Sequence, residues 1–524
     1  MRSPPLTIAL GLVATSFLTA FFLFPLAVIL QRSFSGWEGL AAIITNPYYG
    51  ERLLFTGGQA LASTLLTVIL ALPTAVLFAR YTFPGKRLLR SAFTVPFVMP
   101  TVVAAMGFLA LVGPNGLLDI TLRGKVVLIL LAHVFYNYAV VVRIVGSHLE
   151  RAAPRLLEAA ATLGAGGWRS WWRVTLPLSL PAVLAAAALV FIFCFTSFGI
   201  ILILAPNHPT LEVEIYRLTA RLLRLDAAAV LAMTQLIAIG LVTWCYTALQ
   251  RRLAVPLARG APQLPRPRGL ARLILQLNLL AAFILILSPL LAIVVETFWR
   301  SGSALPDLAA FRALAHSPRS IGFANPWNAI GNSLRFALSS MFLSLLLGLA
   351  FAYAVVRAGW HWLDNLSLMP LATSAVTLGF GYLLAFPKLT ISPWGVTLAH
   401  TLIGFPFVTR SLLPSLRGLP ASLPDAARVL GSSPLAVLRR VELPLLAPAL
   451  VTAASFAFAV SMGEFGATLV ITRPEYATIP IAIFDRLGRP GEANYSAALA
   501  LSVILMVITA AAMMLFERFG EGEW

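Results

Sequence analysis

The chain has 524 residues, of which 59% are hydrophobic and 11% are charged, and its formal net charge is +18. A soluble globular protein carries about 25% charged residues, so this composition excludes an ordinary soluble domain. Apolar stretches of about 20 residues or more recur along the whole chain, which is the length needed to cross a hydrocarbon core of about 30 Å. We therefore predict an all-α polytopic membrane protein.

The apolar stretches predict twelve transmembrane helices in two groups of six. The stretch at 6–30 is too long for the apolar region of a signal peptide and lacks the small-residue cleavage pattern, so we interpret it as the first span. In chain order the predicted spans lie at 6–30, 53–79, 88–112, 125–146, 180–204 and 228–250, and then at 270–295, 331–356, 364–386, 394–415, 446–471 and 495–516.

A short polar segment separates the two groups of spans. Residues 251–269 contain four prolines and five arginines, which predicts a basic linker without helical structure. The predicted organisation is therefore a first half at 1–250, a linker at 251–269 and a second half at 270–524.

The distribution of lysine and arginine predicts the orientation in the membrane. If the N-terminus is cytoplasmic, the cytoplasmic loops, the linker and the termini together hold most of the 38 basic residues. Basic loops stay in the cytoplasm during insertion, so we predict a cell (inner or plasma) membrane protein with both termini cytoplasmic. The charge is spread over short loops without an aromatic-studded basic groove, so we expect no nucleic-acid partner.

The two halves are related by an internal repeat. The segment LLEAAATLGAGGWRSWWRVTLPLSLPA (156–182) aligns with LPDAARVLGSSPLAVLRRVELPLLAPA (423–449) at an offset of 267 residues. The same offset pairs His133 with His400 and Phe198-Gly199 with Phe465-Gly466, whereas Pro96 and Pro370 earlier in the halves differ by 274. Such a repeat is a common plan among transporters.

Each repeated loop predicts a short helix, a glycine turn and a second helix that enters the membrane. In the second copy Ser422 is a candidate N-cap, and Asp425 falls at the third helical position, as in a capping box. Gly431 follows the last periodic residue, where a left-handed residue commonly ends a helix. Ser433-Pro434 then opens the next helix.

Both loops resemble the signature loop of the permeases of binding-protein-dependent ABC importers. The shared pattern is an acidic residue, Ala-Ala, three residues, Gly, nine residues, Val, one residue and Leu-Pro. It is matched by Glu158, Ala159, Ala160, Gly164, Val174, Leu176 and Pro177, and again by Asp425, Ala426, Ala427, Gly431, Val441, Leu443 and Pro444.

The resemblance implies a fold, a mechanism and partners. In that family the loop is a coupling helix that fits a cleft in the ATPase subunit, which implies coupling loops at 156–177 and 423–444. The implied fold is that of a type I ABC importer permease, and the implied mechanism is alternating access. The implied partners are a cytoplasmic ABC ATPase dimer and an extracytoplasmic substrate-binding protein, besides the lipid bilayer.

The fusion of two halves resembles the permeases of thiamine and ferric-iron importers. The segments at 210–219, 374–385 and 461–471 look closest to the thiamine type, although the run GEFGAT also resembles molybdate and sulfate permeases. We expect thiamine, a related small solute or ferric iron as the substrate.

We expect no catalytic activity in this chain itself. The Gly-Lys pairs at 85–86 and 124–125 are followed by Arg and Val, so a phosphate-binding loop ending in Gly-Lys-Ser/Thr is absent from the sequence. ATP hydrolysis is therefore expected in separate subunits. We predict no catalytic residues, no cofactor and no metal site.

A few polar residues in the predicted spans are candidates for the substrate path. Glu464 is the carboxylate we place within a span, about 17 residues into span eleven between Gly463 and Gly466, where the helix is expected to loosen. The alternative for Glu464 is a packing role, for example paired with Arg473. For His133 and His400 we favour helix–helix hydrogen bonds, because both halves keep them. The candidate path residues are Glu464, its repeat counterpart Ser197, Tyr136 and Asn137.

Two other functions compete with an importer permease. A six-plus-six secondary transporter driven by an ion gradient is expected to carry several buried ionisable residues, and Glu464 is the one acidic candidate. An intramembrane enzyme needs a paired acid and base, a nucleophile or a metal cluster within the spans, and the sequence shows none. The duplicated loop favours the importer permease.

Overall fold

The computed structural model describes residues 5–34, 41, 45–114, 116–120, 122–165, 167–252, 264–299, 305–315, 325–364, 366–370, 373–420, 422–471 and 473–520. All regular structure in these ranges is helical, which agrees with the predicted fold class. Ten helices are long and apolar enough to cross a membrane, and eleven if one sharply bent pair counts as a single span.

The first half contains nine helices within the described residues. They are α1 (Thr7–Phe34, with a π-helical turn at Thr19–Leu23), α2 (Pro47–Arg80), α3 (Lys86–Val98), α4 (Thr101–Val112), α5 (Val126–Thr162), α6 (Leu176–Phe195), α7 (Gly199–Leu204), α8 (Leu211–Tyr216) and α9 (Leu225–Arg252). A four-residue helix, Gly167–Ser170, and a π-helical turn, Trp171–Thr175, lead into α6.

The second half follows the same order. Its helices are α10 (Leu270–Trp299), α11 (Ala309–Ala315), α12 (Pro326–Val356), α13 (Ala375–Ala385), α14 (Pro393–Gly418), α15 (Ser422–Val429), α16 (Leu443–Gly463), α17 (Gly466–Ile471), α18 (Ile479–Leu487) and α19 (Glu492–Gly520). A short helix, Pro434–Val437, and a π-helical turn, Leu438–Glu442, lead into α16.

Four predicted spans are interrupted, at matching places in the two halves. The continuous helices predicted at 88–112, 180–204, 364–386 and 446–471 are therefore wrong in this respect. α3 and α4 meet at 99°, and Pro100 explains the break because proline lacks an N–H and disfavours helix in the preceding residue. In the ninth predicted span, 364–386, the short helix α13 is preceded by the 3-10 turns His361–Leu363 and Leu366–Leu368 and by Pro370.

The fifth and eleventh spans break without a proline. α6 ends at Phe195 and the chain turns helical again at Gly199, whereas α16 ends at Gly463 and α17 begins at Gly466. The predicted loosening near Gly463 and Gly466 is thus confirmed. Irregular backbone at membrane depth is tolerated where protein buries it or where it lines a cavity, so the four breaks locate the candidate site.

The two halves exchange their first spans. α1 packs against α12 and α13 of the second half, while α10 packs against α4 of the first half. Each exchange brings a glycine against a proline: a β-carbon on Gly107 would lie 2.6 Å from the Pro289 carbonyl oxygen, and one on Gly381 would lie 3.0 Å from Pro25 Cβ. Gly107 and Gly381 are related by the 274-residue offset, so both crossings repeat the same close approach.

The predicted linker is described only in part. Residues 253–263 lie outside the described residues, residues 251–252 continue α9, and residues 264–269 are not helical. The Thr82 N–H donates to the Pro265 carbonyl oxygen at 3.1 Å, which ties this end of the linker to the loop after α2. The outermost residues, 1–4 and 521–524, also lie outside the description, so the orientation of the termini stays a prediction.

Candidate translocation cavity and coupling loops

A cavity of about 280 Å³ lies where the four interrupted spans meet. The break between α3 and α4 and the break between α6 and α7 form its wall on the first half, and the start of α13 and the break between α16 and α17 form it on the second. Ligand pockets commonly measure about 300–1,000 Å³, so this cavity holds a small solute. Its aromatic wall consists of Phe97, Tyr136, Phe193, Phe198 and Phe465.

The structure brings together all four residues predicted for the substrate path. Glu464, Ser197, Tyr136 and Asn137 line the same cavity, although the sequence separates them by more than 300 residues. Glu464 and Ser197 occupy equivalent breaks in the two halves. The cavity therefore carries a carboxylate on one side of the seam and a hydroxyl at the equivalent place on the other.

Glu464 lies at the helix break and is held by its own chain. Its carboxylate oxygens accept hydrogen bonds from the backbone N–H groups of Ala467, at 2.8 Å, and Thr468, at 2.9 Å, and from the Thr468 hydroxyl. His400 Nε2 lies 3.3 Å from Glu464 Oε2. The predicted position inside a helix and the suggested pairing with Arg473 are therefore wrong, because the chain leaves the helix at Gly463 and the carboxylate caps α17 instead.

The two repeated histidines both make hydrogen bonds between helices, as predicted. His133 Nδ1 lies 2.9 Å from Ser63 Oγ of α2. His400 Nδ1 lies 2.7 Å from Ser461 Oγ of α16, and its Nε2 lies 2.8 Å from Thr468 Oγ1 of α17. Both side chains are about 1% exposed. His133 is among the residues that line the cavity, and His400 lies behind the cavity wall.

Tyr136 and Asn137 attach α5 to its neighbours at the cavity. The Tyr136 hydroxyl donates to the Met99 carbonyl oxygen at the α3–α4 break. Asn137 Nδ2 donates to the His133 carbonyl oxygen at 3.0 Å and contacts Cys194 Sγ at 3.6 Å. These bonds fix α5 against the breaks on both sides of it.

An aromatic row crosses one end of the cavity, and the sequence analysis did not predict it. Phe198 stacks on Phe465 with ring centroids 5.6 Å apart, Tyr216 packs on Phe198 at 5.5 Å, and Phe484 packs on Phe465 at 5.4 Å. Tyr216 and Phe484 occupy matching places in α8 and α18. The aligned Phe-Gly pairs were the available signal, but nothing in the sequence shows that the two phenylalanines meet.

Both predicted coupling loops turn on a left-handed glycine. Gly164 has φ +76° and Gly431 has φ +83°, which confirms the predicted helix end. Gly431 N–H donates to the Arg428 carbonyl oxygen and Ser432 N–H to that of Ala427, at 2.9 and 3.0 Å, the two bonds of a Schellman motif. The first loop has the equivalent bond from Ala165 N–H to the Ala160 carbonyl oxygen, at 3.0 Å.

The helices before these glycines differ between the halves. In the second half α15 begins at Ser422, with Asp425 at 2.9 Å from Arg428, and Ser433 Oγ caps the next helix by accepting from Ala436 N–H. In the first half the separate loop helix we predicted is absent, because α5 continues from the membrane to Thr162. Gly418 and Pro420 end α14, whereas the aligned residues in α5 are Arg151 and Ala153, which continue a helix.

The remaining signature residues fall where the loops meet the membrane. Leu176-Pro177 and Leu443-Pro444 form the first turns of α6 and α16, where proline is tolerated. The apolar stripe predicted in the first loop divides, since Ala160 is buried and Leu163 is 87% exposed. Its repeat counterpart Leu430 is 85% exposed. For Glu158 and Ala159, which precede Ala160, the backbone is helical and their side chains lie outside the description, and Ala426 and Ala427 form the last turns of α15.

Comparison with known proteins identifies the family. The sequence profile described as "Binding-protein-dependent transport system inner membrane component" matches residues 71–255 and 334–521, once in each half. The thiamine transport system permease protein of Escherichia coli is 28% identical over 477 residues, covering 85% of both chains. That of Salmonella typhimurium is 28% identical over 534 residues, covering 96% of this chain and 94% of the relative.

A further relative covers a single stretch of the chain. The putative 2-aminoethylphosphonate transport system permease protein of Salmonella paratyphi A is 33% identical over 202 residues, 37% of this chain and 75% of the relative. The family profile covers more than half of the chain, which sets aside the ion-gradient transporter and the intramembrane enzyme. The chain belongs to the inner membrane components of binding-protein-dependent transport systems, as a permease of an ABC importer with two fused halves.

Proposed function

We propose that this chain is the permease of a thiamine importer. The observation that carries the proposal is the similarity to permeases named for thiamine, which extends over 96% of this chain in one relative. The cavity supports it, because an aromatic wall and one carboxylate suit a small aromatic cation. We give thiamine precedence over ferric iron and over 2-aminoethylphosphonate, whose relative aligns with 37% of the chain.

The two loops at 156–177 and 423–444 are the proposed docking sites for a cytoplasmic ATPase dimer. Leu163 and Leu430 support this proposal, since both are more than 80% exposed directly before the left-handed glycines. A large apolar side chain at the tip of a polar loop fits a groove in a partner. With the loops in the cytoplasm, both termini and the linker are cytoplasmic, and a substrate-binding protein docks on the opposite side.

The cavity is the proposed centre of the translocation path. In this orientation α6 and α16 run outward, so Phe198 and Phe465 lie toward the outer side of the cavity and close it. ATP binding brings the loops together, the halves rock about the seam, and the aromatic row separates. Glu464, Ser197, Tyr136 and Asn137 then face a substrate released by the binding protein.

Reconstitution tests the substrate. The chain, its ATPase subunits and its binding protein are placed in lipid vesicles, and ATP-dependent uptake of radiolabelled thiamine is measured beside that of 2-aminoethylphosphonate. We expect accumulation of thiamine alone. Uptake of the phosphonate, or the absence of thiamine uptake by a complex that hydrolyses ATP, overturns the substrate assignment.

The double variant Gly164→Asp and Gly431→Asp tests the coupling loops. A β-carbon in the left-handed conformation costs about 1 kcal/mol, and the added carboxylates lie beside the exposed leucines. We expect loss of uptake and of ATPase co-purification with normal membrane abundance. Gly85→Asp is the matched control, since Gly85 also has a left-handed φ of +77° with open space around it. Normal recovery of the ATPase by the double variant contradicts the assignment.

A further inference from the structure

Two buried polar atoms at the cavity have no hydrogen-bond partner. They are His133 Nε2 and Asn137 Oδ1. His133 is 1% exposed and Asn137 3% exposed, and both residues line the cavity. A buried polar atom without a partner loses its hydration and gains nothing in return, so each such atom at a cavity wall calls for a ligand that restores the bond.

The two side chains are fixed by their other polar atoms. His133 uses Nδ1 for Ser63 Oγ at 2.9 Å, and Asn137 uses Nδ2 for the His133 carbonyl oxygen at 3.0 Å. Because the residues are four apart on α5, their side chains lie on the same face of the helix. The two atoms without partners therefore form one short hydrogen-bonding edge on one wall.

The equivalent edge is absent from the second half. His400 binds Ser461 through Nδ1 and Thr468 through Nε2, and the residue aligned with Asn137 is Gly404. A β-carbon on Gly404 would lie 3.1 Å from Ser344 Oγ, so this place is filled by a neighbouring helix. The repeat thus preserves a histidine for packing in both halves and leaves a hydrogen-bonding edge open in the first half alone.

The polarity of the edge defines the group it binds. Asn137 Oδ1 accepts a hydrogen bond. In the tautomer in which the Ser63 hydroxyl donates to His133 Nδ1, the His133 Nε2–H donates. The complementary ligand has an N–H donor beside an acceptor, and the aromatic wall of Phe97, Phe193 and Phe198 favours a planar ring.

We propose that His133 and Asn137 bind an amino-substituted nitrogen heterocycle, with the exocyclic amino group on Asn137 Oδ1 and the adjacent ring nitrogen on His133 Nε2. The aminopyrimidine ring of thiamine has this arrangement. The proposal rests on the proposed function, because it places the substrate in the same cavity, and it adds which part of the substrate is read and by which atoms. 2-Aminoethylphosphonate has no ring and does not fit the edge.

A cycle of protein and ligand changes tests the assignment. The full permease with its ATPase subunits is placed in lipid nanodiscs without the binding protein, so that the specificity of the binding protein does not contribute. Binding of radiolabelled thiamine is then competed with unlabelled thiamine or with its 4-oxo analogue, which replaces the amino group with a carbonyl. In the wild-type complex we expect the 4-oxo analogue to compete about tenfold or more weakly, because it reverses the donor and the acceptor.

Two substitutions of Asn137 separate the acceptor from the rest of the side chain. Asn137→Asp and Asn137→Leu both remove the donation to the His133 carbonyl oxygen, but Asn137→Asp retains an acceptor oxygen. We expect Asn137→Asp to keep the preference for the amino compound and Asn137→Leu to reduce it to within about twofold. If the leucine variant does not assemble, Asn137→Ala takes its place.

Three results overturn the proposal: equal competition by the two compounds in the wild-type complex, an undiminished preference in Asn137→Leu, or no saturable thiamine binding up to millimolar concentrations. Failure of the proposed function gives a different result, namely no ATP-dependent thiamine uptake by complete vesicles. Normal uptake with an undiminished preference in Asn137→Leu rejects the hydrogen-bonding edge alone.

Discussion

Phe198 and Phe465 stack on each other across the seam between the halves, with centroids 5.6 Å apart and ring planes 29° apart. They are separated by 267 residues, the offset of the repeat, so each is the counterpart of the other. Gly199 permits the contact, since a β-carbon there would lie 3.1 Å from the Phe465 ring. One pair of equivalent residues thus closes one end of the cavity.

We expect loss of this stack to open the cavity. The double variant Phe198→Ala and Phe465→Ala removes two buried rings, which leaves a hole at the seam and takes away an aromatic pair worth about 1 kcal/mol beyond its area. The expected result is ATP-independent thiamine leakage from loaded vesicles, together with ATPase activity that no longer needs the binding protein. Both are measured on the reconstituted complex.

The control for this experiment is Phe407→Ala with Phe456→Ala. These two rings also stack, at 6.4 Å and 19°, but they lie within the second half and away from the cavity. We expect this pair to change stability without leakage. Equal leakage from both double variants, or none from the seam variant, contradicts a sealing role for Phe198 and Phe465.

The sequence predicted the broad fold because its strongest signals are local. Apolar length locates most of the spans, and the residue pattern of the loops located the glycine turns at Gly164 and Gly431. Helix breaks depend on tertiary packing, and apolar length does not report them. The span predicted at 364–386 shows the limit, since it is apolar enough to cross a membrane but contains the short helix α13 after two 3-10 turns.

An ion pair at the end of span four is preserved with its charges exchanged. In the first half Glu150 binds Arg90 at 2.6 Å and Lys86 at 3.0 Å. In the second half Arg417 binds Asp364 at 2.8 Å. Arg417 aligns with Glu150 at the offset of 267, and Asp364 aligns with Arg90 at the offset of 274. The contact is therefore equivalent in the two halves, whereas its polarity is reversed.

We expect the polarity of the first pair to be exchangeable. Glu150→Arg places three cations together and lowers the melting temperature of the complex, whereas adding Arg90→Asp restores an opposite charge, as in the second half. The side chains are partly exposed, so the recovered free energy of unfolding is about 1 kcal/mol or less. Melting of the purified complex at low and high salt measures it. A double variant less stable than Glu150→Arg contradicts the equivalence.

The exchange of first spans makes Gly107 intolerant of any side chain. A β-carbon would lie 2.6 Å from a backbone oxygen of Pro289, which has no flexible side chain to move aside. Overpacking of this kind costs about 1–3 kcal/mol, so Gly107→Ala is expected to reduce membrane abundance and the melting temperature. Gly240→Ala is the control, because the space around Gly240 is open. Normal abundance of Gly107→Ala contradicts the tight crossing.

The candidate site was predictable as a set of residues but not as an arrangement. Polar residues in apolar helices are unusual, and that property identified Glu464 and Asn137. The partners of Glu464 were not predictable, because His400 and Thr468 meet it only after α16 ends at Gly463. The sequence also treats His133 and His400 alike, and the structure separates them by which ring nitrogen has a partner.

The last prediction concerns Glu464, which both lines the cavity and caps α17. Its two oxygens accept from the N–H groups of Ala467 and Thr468, and a glutamine offers one oxygen where the glutamate offers two. We expect Glu464→Gln to leave one buried N–H without a partner, at a cost of about 1–3 kcal/mol, and so to lower the melting temperature. The change also removes the negative charge that the cavity presents to a cation.

The loss of charge has a separate readout. A cation several ångströms from a carboxylate gains about 1 kcal/mol or more in a partly hydrated site, so Glu464→Gln is expected to weaken direct thiamine binding in nanodiscs about fivefold. Ser197→Ala is the matched control, since Ser197 occupies the equivalent break and α7 has no side-chain cap. A glutamine variant with lower stability and unchanged thiamine binding assigns Glu464 to structure alone. If binding weakens about fivefold while the complex stays assembled, the carboxylate acts on the substrate.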